Sequence, residues 1–125
     1  MAGKIKSLQA GVQVFGSIAA DRGWTPAVNV YDCGASLRVC VELAGVPRSS
    51  IEVTVQLGRL VIEGRREVPE PSDAKAHCLR EMEIDHGAFR RVLGLPESID
   101  LKAVSSSYTD GMLWIVLPIR GGEDK

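Results

Sequence analysis

From Trp24 onward, apolar residues recur at every second position, and this period constrains the fold more than any other feature of the sequence. The clearest run covers residues 36–43. Its apolar members are Leu37, Val39, Val41 and Leu43, and small or polar residues stand between them. Successive side chains of a strand point to opposite faces, so the run predicts a strand with one buried face. A helix would need apolar residues at steps of three and four.

The same alternation predicts further strands. Residues 51–57 and 60–64 form a predicted hairpin around Gly58-Arg59, and Phe89 to Leu95 and Ala103 to Tyr108 supply two more strands. Asp110-Gly111 then marks a turn into Met112 to Leu117, which is apolar on both parities and is therefore expected to be covered on both faces. Six or seven short strands with no convincing internal helix predict an all-β fold, an immunoglobulin-like antiparallel β-sandwich.

The first 23 residues have a different period. Ile5, Leu8, Val12 and Phe15 follow one another at steps of three and four, which is helical spacing. Glycines inside this segment each cost a helix about 1 kcal/mol relative to alanine, so we expect a partly helical or disordered arm. Two interpretations stay open: a frayed terminus without a role, or an apolar segment that contacts a client or partner.

Residues 65–87 interrupt the strands. Pro69 and Pro71 exclude a central strand, and charges of both signs fill the segment. Irregular loops of more than about 15 residues are uncommon in compact domains unless they have a function. The segment is therefore predicted to be a long functional loop.

Composition argues against several function classes. The 125 residues suit one domain, and 15 basic against 16 acidic residues give no field that favours nucleic acid. No apolar stretch approaches the roughly 20 residues that span a bilayer, so no membrane is expected. An odd count of three cysteines suggests a reducing compartment, and we expect the cytoplasm. With only His77 and His86, the chain offers no catalytic constellation, metal site or cofactor site.

Several short motifs nevertheless occur in a distinctive order over residues 24–118. They are Trp24 to Asp32 at the start, Val41 to Val46, Leu60 to Arg66, Gly87-Ala88-Phe89-Arg90-Arg91, Leu95-Pro96, and Asp110-Gly111-Met112-Leu113. In order and spacing they resemble the alpha-crystallin domain of small heat shock proteins. The resemblance implies an arm over residues 1–23, the domain over 24–118 and a short tail over 119–125.

The resemblance also implies a function. It implies an ATP-independent holdase like other small heat shock proteins, which bind partly unfolded client proteins under stress, prevent their aggregation and catalyse nothing. ATP-driven chaperones would then release and refold the clients. The alternative is an adaptor that recognises one folded partner, as the related CS-domain co-chaperones do.

By the same resemblance, the long loop would carry a strand that pairs with the other subunit of a homodimer. The dimer candidates are Ala74, Lys75, Ala76, His77, Cys78, Leu79, Arg80 and Arg91. Arg91 shares its parity with Phe89 and Leu93, and a charge on an apolar face usually needs a partner. The resemblance implies that Arg91 pairs with an acid at or near the dimer interface; the alternative is that its guanidinium extends to solvent.

Client binding is expected at the arm residues Ile5, Leu8, Val12 and Phe15 and in a groove. The resemblance places Ile51, Val53 and Val55 on one side of this groove and Ala103, Ser105 and Ser107 on the other. The tail contains one isoleucine, Ile119, where the family has an I-x-I or I-x-V motif. A short arm and this tail favour a dimer or small oligomer. The second wall of the groove is small and polar, which favours weak binding of a client or plug.

Overall fold

The computed structural model describes residues 23–72 and 76–123, which form seven strands and two short 3-10 helices. The strands are β1 (Val28–Asp32), β2 (Ser36–Glu42), β3 (Glu52–Gln56), β4 (Arg59–Arg66), β5 (Gly87–Gly94), β6 (Ser105–Thr109) and β7 (Met112–Pro118). The 3-10 helices cover Arg48–Ser50 and Leu101–Ala103. Strands β1-β2-β7-β6 form one antiparallel sheet and β3-β4-β5 form the other.

The core lies between the two sheets and is built from the alternating residues. Opposed pairs of β2 and β7, such as Val41 with Leu113 and Val39 with Ile115, are almost fully buried. The second sheet contributes Leu60, Ile62 and Phe89. The predicted all-β sandwich is confirmed, as are the hairpin at Gly58 and the turn at Asp110-Gly111.

The turn between β6 and β7 fixes the register of both strands. Asp110 and Gly111 have φ values of 54° and 77°, and Thr109 lies opposite Met112. Two central residues with positive φ make the two-residue hairpin turn that matches the twist of antiparallel strands. A Cβ atom on Gly111 would also lie 2.7 Å from the Cα atom of Ala44. Glycine is therefore required here both for backbone conformation and for space.

Strand β7 departs from expectation, because only one of its faces is buried. Leu113, Ile115 and Leu117 point into the core, whereas the Trp114 side chain is 38% exposed on the opposite face. The prediction that β7 is covered on both faces was wrong. Within the described residues, the four-stranded sheet packs against another layer on its inner face alone.

The Arg66 side chain joins three separate segments at one end of the sandwich. Its guanidinium lies 3.9 Å from the ring centroid of Trp24 and donates to the carbonyl oxygens of Asp85, at 2.6 and 2.9 Å, and Ala44, at 2.8 Å. Trp24 in turn stacks edge-on against Phe89 and donates its indole N–H to the Gly87 carbonyl. The beginning of the domain and the end of the long loop are thus held by one cation.

The long connection between β4 and β5 is irregular, as predicted. Residues 67–72 and 76–86 contain no strand within this chain, and residues 76–85 are exposed. Ala74 and Lys75 lie outside the described residues, as do Ile5, Leu8, Val12 and Phe15. Among the described residues, no helix is long and apolar enough to cross a membrane.

We expect Arg66→Ala to lower the free energy of unfolding by about 2 kcal/mol, because the variant loses a cation–π contact and hydrogen bonds from a charged donor. Arg65→Ala is the matched control, since Arg65 is exposed and its ion pair with Glu67 lies at the surface. Urea unfolding of both variants measures the difference. Equal stability of the two variants would contradict the role of Arg66.

Candidate functional site at the open edges of the sandwich

The two sheets leave two open sides, each bounded by one edge strand of either sheet. On one side, Arg48, which precedes β3, donates to the Tyr108 carbonyl oxygen of β6 at 2.7 Å. On the other side, Arg91 of β5 donates to the carbonyl of Pro26, which precedes β1, at 2.9 Å. The β3–β6 side and the β1–β5 side are therefore the places where further chain could be added to the sandwich.

The β3 wall of the first side has the predicted residues. Val53 and Val55 are buried and point inward, and Ile51 is half-buried against the core. They supply the apolar side chains that the sequence predicted for one wall of the groove.

The β6 wall differs from the prediction by one residue. Ser105 and Ser107 pair with Val116 and Trp114 and are exposed on the outer face, and Ala103 is exposed in the 3-10 helix. The residues that turn inward are Val104, Ser106 and Tyr108. A shift of one position moves every side chain of a strand to the other face. The turn at Asp110-Gly111 sets this parity, because it places Thr109 opposite the outward-facing Met112.

Ser106 is the polar residue of this wall. The residue is 4% exposed, and its Oγ atom has no hydrogen-bond partner among the described residues. A buried hydroxyl without a partner costs about 1–3 kcal/mol. Because Val104 and Tyr108 flank it, the wall has one polar position between two larger side chains, and it is less polar than the sequence suggested.

Tyr108 closes one end of the β3–β6 side. Its hydroxyl donates toward the carbonyl oxygens of Leu43 and Val46, at 2.7 and 2.8 Å, and the Arg48 guanidinium lies 5.7 Å from its ring centroid. Burial raises the pKa of the Tyr108 phenol. Tyr108 thus fixes the loop between β2 and β3 against β6.

On the β1–β5 side, Arg91 is half-buried and its Nη1 atom bonds to Pro26. The sequence analysis expected an acid or solvent around the Arg91 guanidinium and did not predict this backbone carbonyl. A pairing with an acid of a second subunit stays a prediction. Beside it, Val30 has inward parity on the free edge strand β1 and is nevertheless 54% exposed.

The described part of the long loop places apolar side chains in solvent. Leu79, Met82 and Ile84 are all about half exposed or more, and the predicted dimer residues Ala76, Cys78 and Arg80 are also exposed. His77 lies 3.9 Å from the Glu70 carboxylate. Exposed apolar side chains on an unpaired segment are typical of an interaction surface.

The single isoleucine of the tail is already bound within its own domain. Ile119 forms an antiparallel bridge with Ile99, donates its N–H to the Ala35 carbonyl and packs against the core. It therefore does not extend from the domain as a plug for a neighbour. Elsewhere in the described ranges, no group of three His, Cys, Asp or Glu residues could hold a metal ion.

Comparison with known proteins agrees with the sequence motifs. The sequence profile described as "Hsp20/alpha crystallin family" matches residues 32–125. Small heat shock protein C4 of Rickettsia felis is 28% identical over 94 residues, which are 75% of this chain and 56% of that protein. The first three curated relatives are covered over 24%, 56% and 66% of their own lengths, so the chain spans less than two thirds of each.

Solved structures show the same fold. Heat shock protein 16.0 from Schizosaccharomyces pombe superposes with a TM-score of 0.72 at 25% identity, covering 82% of this chain and 94% of that one. The hspA protein from Xanthomonas axonopodis gives 0.68 at 28% identity, covering 80% and 98%. The resemblance that the motifs indicated is confirmed.

We expect Tyr108→Phe to lower the free energy of unfolding at pH 7 by about 1–2 kcal/mol, because the Val46 carbonyl loses the phenol as donor and the Leu43 carbonyl keeps only the Val46 N–H. The raised pKa of Tyr108 means that the folded state favours the neutral phenol. Its contribution is therefore complete below the unfolded pKa near 10 and is lost as pH rises through the folded value. Urea unfolding between pH 8 and about 11 should show a steeper loss for the parent than for Tyr108→Phe; parallel curves would contradict this.

Proposed function

The chain belongs to the Hsp20/alpha crystallin family, and we propose that it is an ATP-independent holdase. Its membership of this family supports a chaperone role. In this role it binds partly unfolded proteins and prevents their aggregation under stress, without catalysis. The observation that carries the proposal is the open β3–β6 side, where an apolar wall and two unpaired strand edges lie together. We place its action in the cytoplasm, with ATP-driven chaperones completing refolding.

The β3–β6 side suits an extended apolar segment of a client. A free strand edge offers backbone N–H and C=O groups to an added strand, and inward pockets select alternate side chains. Here Ile51 and Tyr108 are half-buried at the two walls, and Leu57, at the end of β3, is 67% exposed. Ser106 places an unpaired hydroxyl in this wall, which lowers the affinity for a purely apolar segment.

We propose that the other side forms the homodimer. Strand β1 is the free edge of the four-stranded sheet, and residues 76–80 of the loop form no strand within their own chain. In a strand exchange, this loop would pair with β1 of the partner, together with Ala74 and Lys75. Arg91 lies beside the same edge.

Two features favour a dimer or small oligomer over a large assembly. Ile119 packs on its own domain, and Ser106 weakens the groove that would receive a plug. Both reduce the contacts that could join one dimer to the next.

The holdase proposal predicts that the protein suppresses heat-induced aggregation of an unrelated model client without nucleotide, as measured by light scattering. Ser106→Ala should suppress aggregation more effectively than the parent and raise the free energy of unfolding by about 1 kcal/mol, because it removes a buried unpaired hydroxyl. Ser107→Ala, on the outer face, is the matched control and should change neither. An adaptor for one folded partner would leave the client unprotected, and this outcome would reject the proposal.

The strand exchange predicts a loss of mass when residues 76–80 are replaced by five alternating Gly and Ser residues, because the loop keeps its length but loses the side chains that pair. Light scattering should show the mass of one chain for this variant and at least twice that for the parent. A control that replaces residues 67–71 in the same way should keep the parent's mass. A dimer that survives the first replacement would exclude the exchange.

A further inference from the structure

The outer face of the four-stranded sheet is an unusual apolar surface. Tyr31 of β1 and Trp114 of β7 stack across β2 with ring centroids 6.0 Å apart and an interplanar angle of 25°. The two rings are 45% and 38% exposed, and Cys40 lies between them on β2 at 6%. Met112 extends the surface toward the end of β7. We call Tyr31, Cys40, Met112 and Trp114 the aromatic face.

Neighbouring side chains leave the aromatic face open. On β6, the outward residues beside it are Ser105, Ser107 and Thr109, which are too short to cover an indole ring. The outer face of the other sheet carries paired charged and amide side chains, Arg90 with Glu63 at 3.4 Å and Arg59 with Gln56 at 2.9 Å, and one exposed valine, Val92. On the four-stranded sheet, Arg38 beside Tyr31 and Glu42 beside Met112 are exposed on the same face as the rings, so the aromatic face is an apolar patch bordered by charges.

We propose that residues 1–22 of this chain dock on the aromatic face through the stripe of Ile5, Leu8, Val12 and Phe15. These residues precede a firmly held point, since Trp24 donates its backbone N–H to Ala88 and its indole N–H to Gly87. Four residues later the chain enters β1, the strand that carries Tyr31. Trp24 itself lies against β5 of the other sheet, so the segment reaches the aromatic face by passing the β1 edge of the sandwich.

The dimensions agree with this arrangement. A helix of 22 residues is about 33 Å long. Three strand spacings of about 4.8 Å make the four-stranded sheet roughly 14 Å wide, and its seven-residue strands are about 23 Å long. A stripe at steps of three and four presents one apolar face to such a sheet.

Tethering favours this segment over other occupants. A covalently linked segment has an effective concentration of about millimolar at a nearby site, whereas a second copy or a client has to be supplied from solution. Docking of residues 1–22 would also keep the apolar stripe out of water when no client is present. The inference concerns the resting chain and does not depend on the holdase activity.

The test uses Trp114 as the reporter. In a Trp24→Phe background it is the sole tryptophan. Phenylalanine loses the indole hydrogen bond to Gly87 but keeps the backbone hydrogen bond to Ala88 and an aromatic ring on Phe89. The full chain carries either Leu8→Glu with Phe15→Glu, on the stripe, or Gln13→Glu with Ser17→Glu, which add the same charge on the opposite side of a helix. Acrylamide quenching of Trp114 fluorescence is measured for each, and thermal unfolding checks that the domain is unchanged.

We expect the quenching constant to rise about twofold or more in the stripe variant and to stay at the parent's value in the control, because an uncovered Trp114 is 38% exposed. Equal quenching in both variants would overturn the proposal. The proposal would also be overturned if Trp114 stayed protected from acrylamide in the stripe variant but lost this protection on dilution. That result would assign the aromatic face to a second copy of the chain.

Discussion

The structure depends on the pairing of β2 with β7 at the centre of the larger sheet. This pair alternates apolar residues inward over its whole length, and Val41, Leu113 and Ile115 are almost completely excluded from water. Burial is weaker on the edge strand β1, whose residues are half-buried or exposed, and at Tyr108 of β6, which is half-buried, although Ser106 of β6 is 4% exposed. The edges of the sandwich are therefore where inward-facing side chains, such as Val30 and Ile51, remain partly in water. The candidate binding surfaces follow directly from this gradient.

A second constraint acts at the end of the sandwich, where Arg66 meets Trp24, Asp85 and Ala44. The three segments it joins are the entry of the chain into the domain, the return of the long loop and the connection from β2 to β3. In the proposed dimer, the loop that reaches the partner is thus fixed to the same point as the root of residues 1–22. A shift of this cluster would therefore move both the long loop and the start of residues 1–22.

Strand positions and the sandwich were predictable because period-two burial is a local property of sequence. The parity of β6 was not, because Ser105, Ser106 and Ser107 are alike in the sequence, and β7, with which the predicted turn aligns them, is apolar on both parities. The open face of β7 was missed for a related reason. Apolar residues on both parities indicate apolar surface, but they do not say whether a second layer is present. Likewise, the carbonyl that Arg91 meets comes from Pro26, 65 residues away, and no local pattern indicates it.

Gly111 and Gly64 show why glycine occurs in two of the sequence motifs: neither position has space for a side chain. A Cβ atom at Gly64 would lie 2.6 Å from the Phe89 ring, and one at Gly111 would meet the backbone of Ala44. Both glycines therefore record steric fit inside one subunit. Chains that share all of these landmarks are free to differ at Ser106, Leu79 or Trp114 without disturbing the sandwich. Differences in the proteins such chains protect would thus arise at positions that the motifs do not contain.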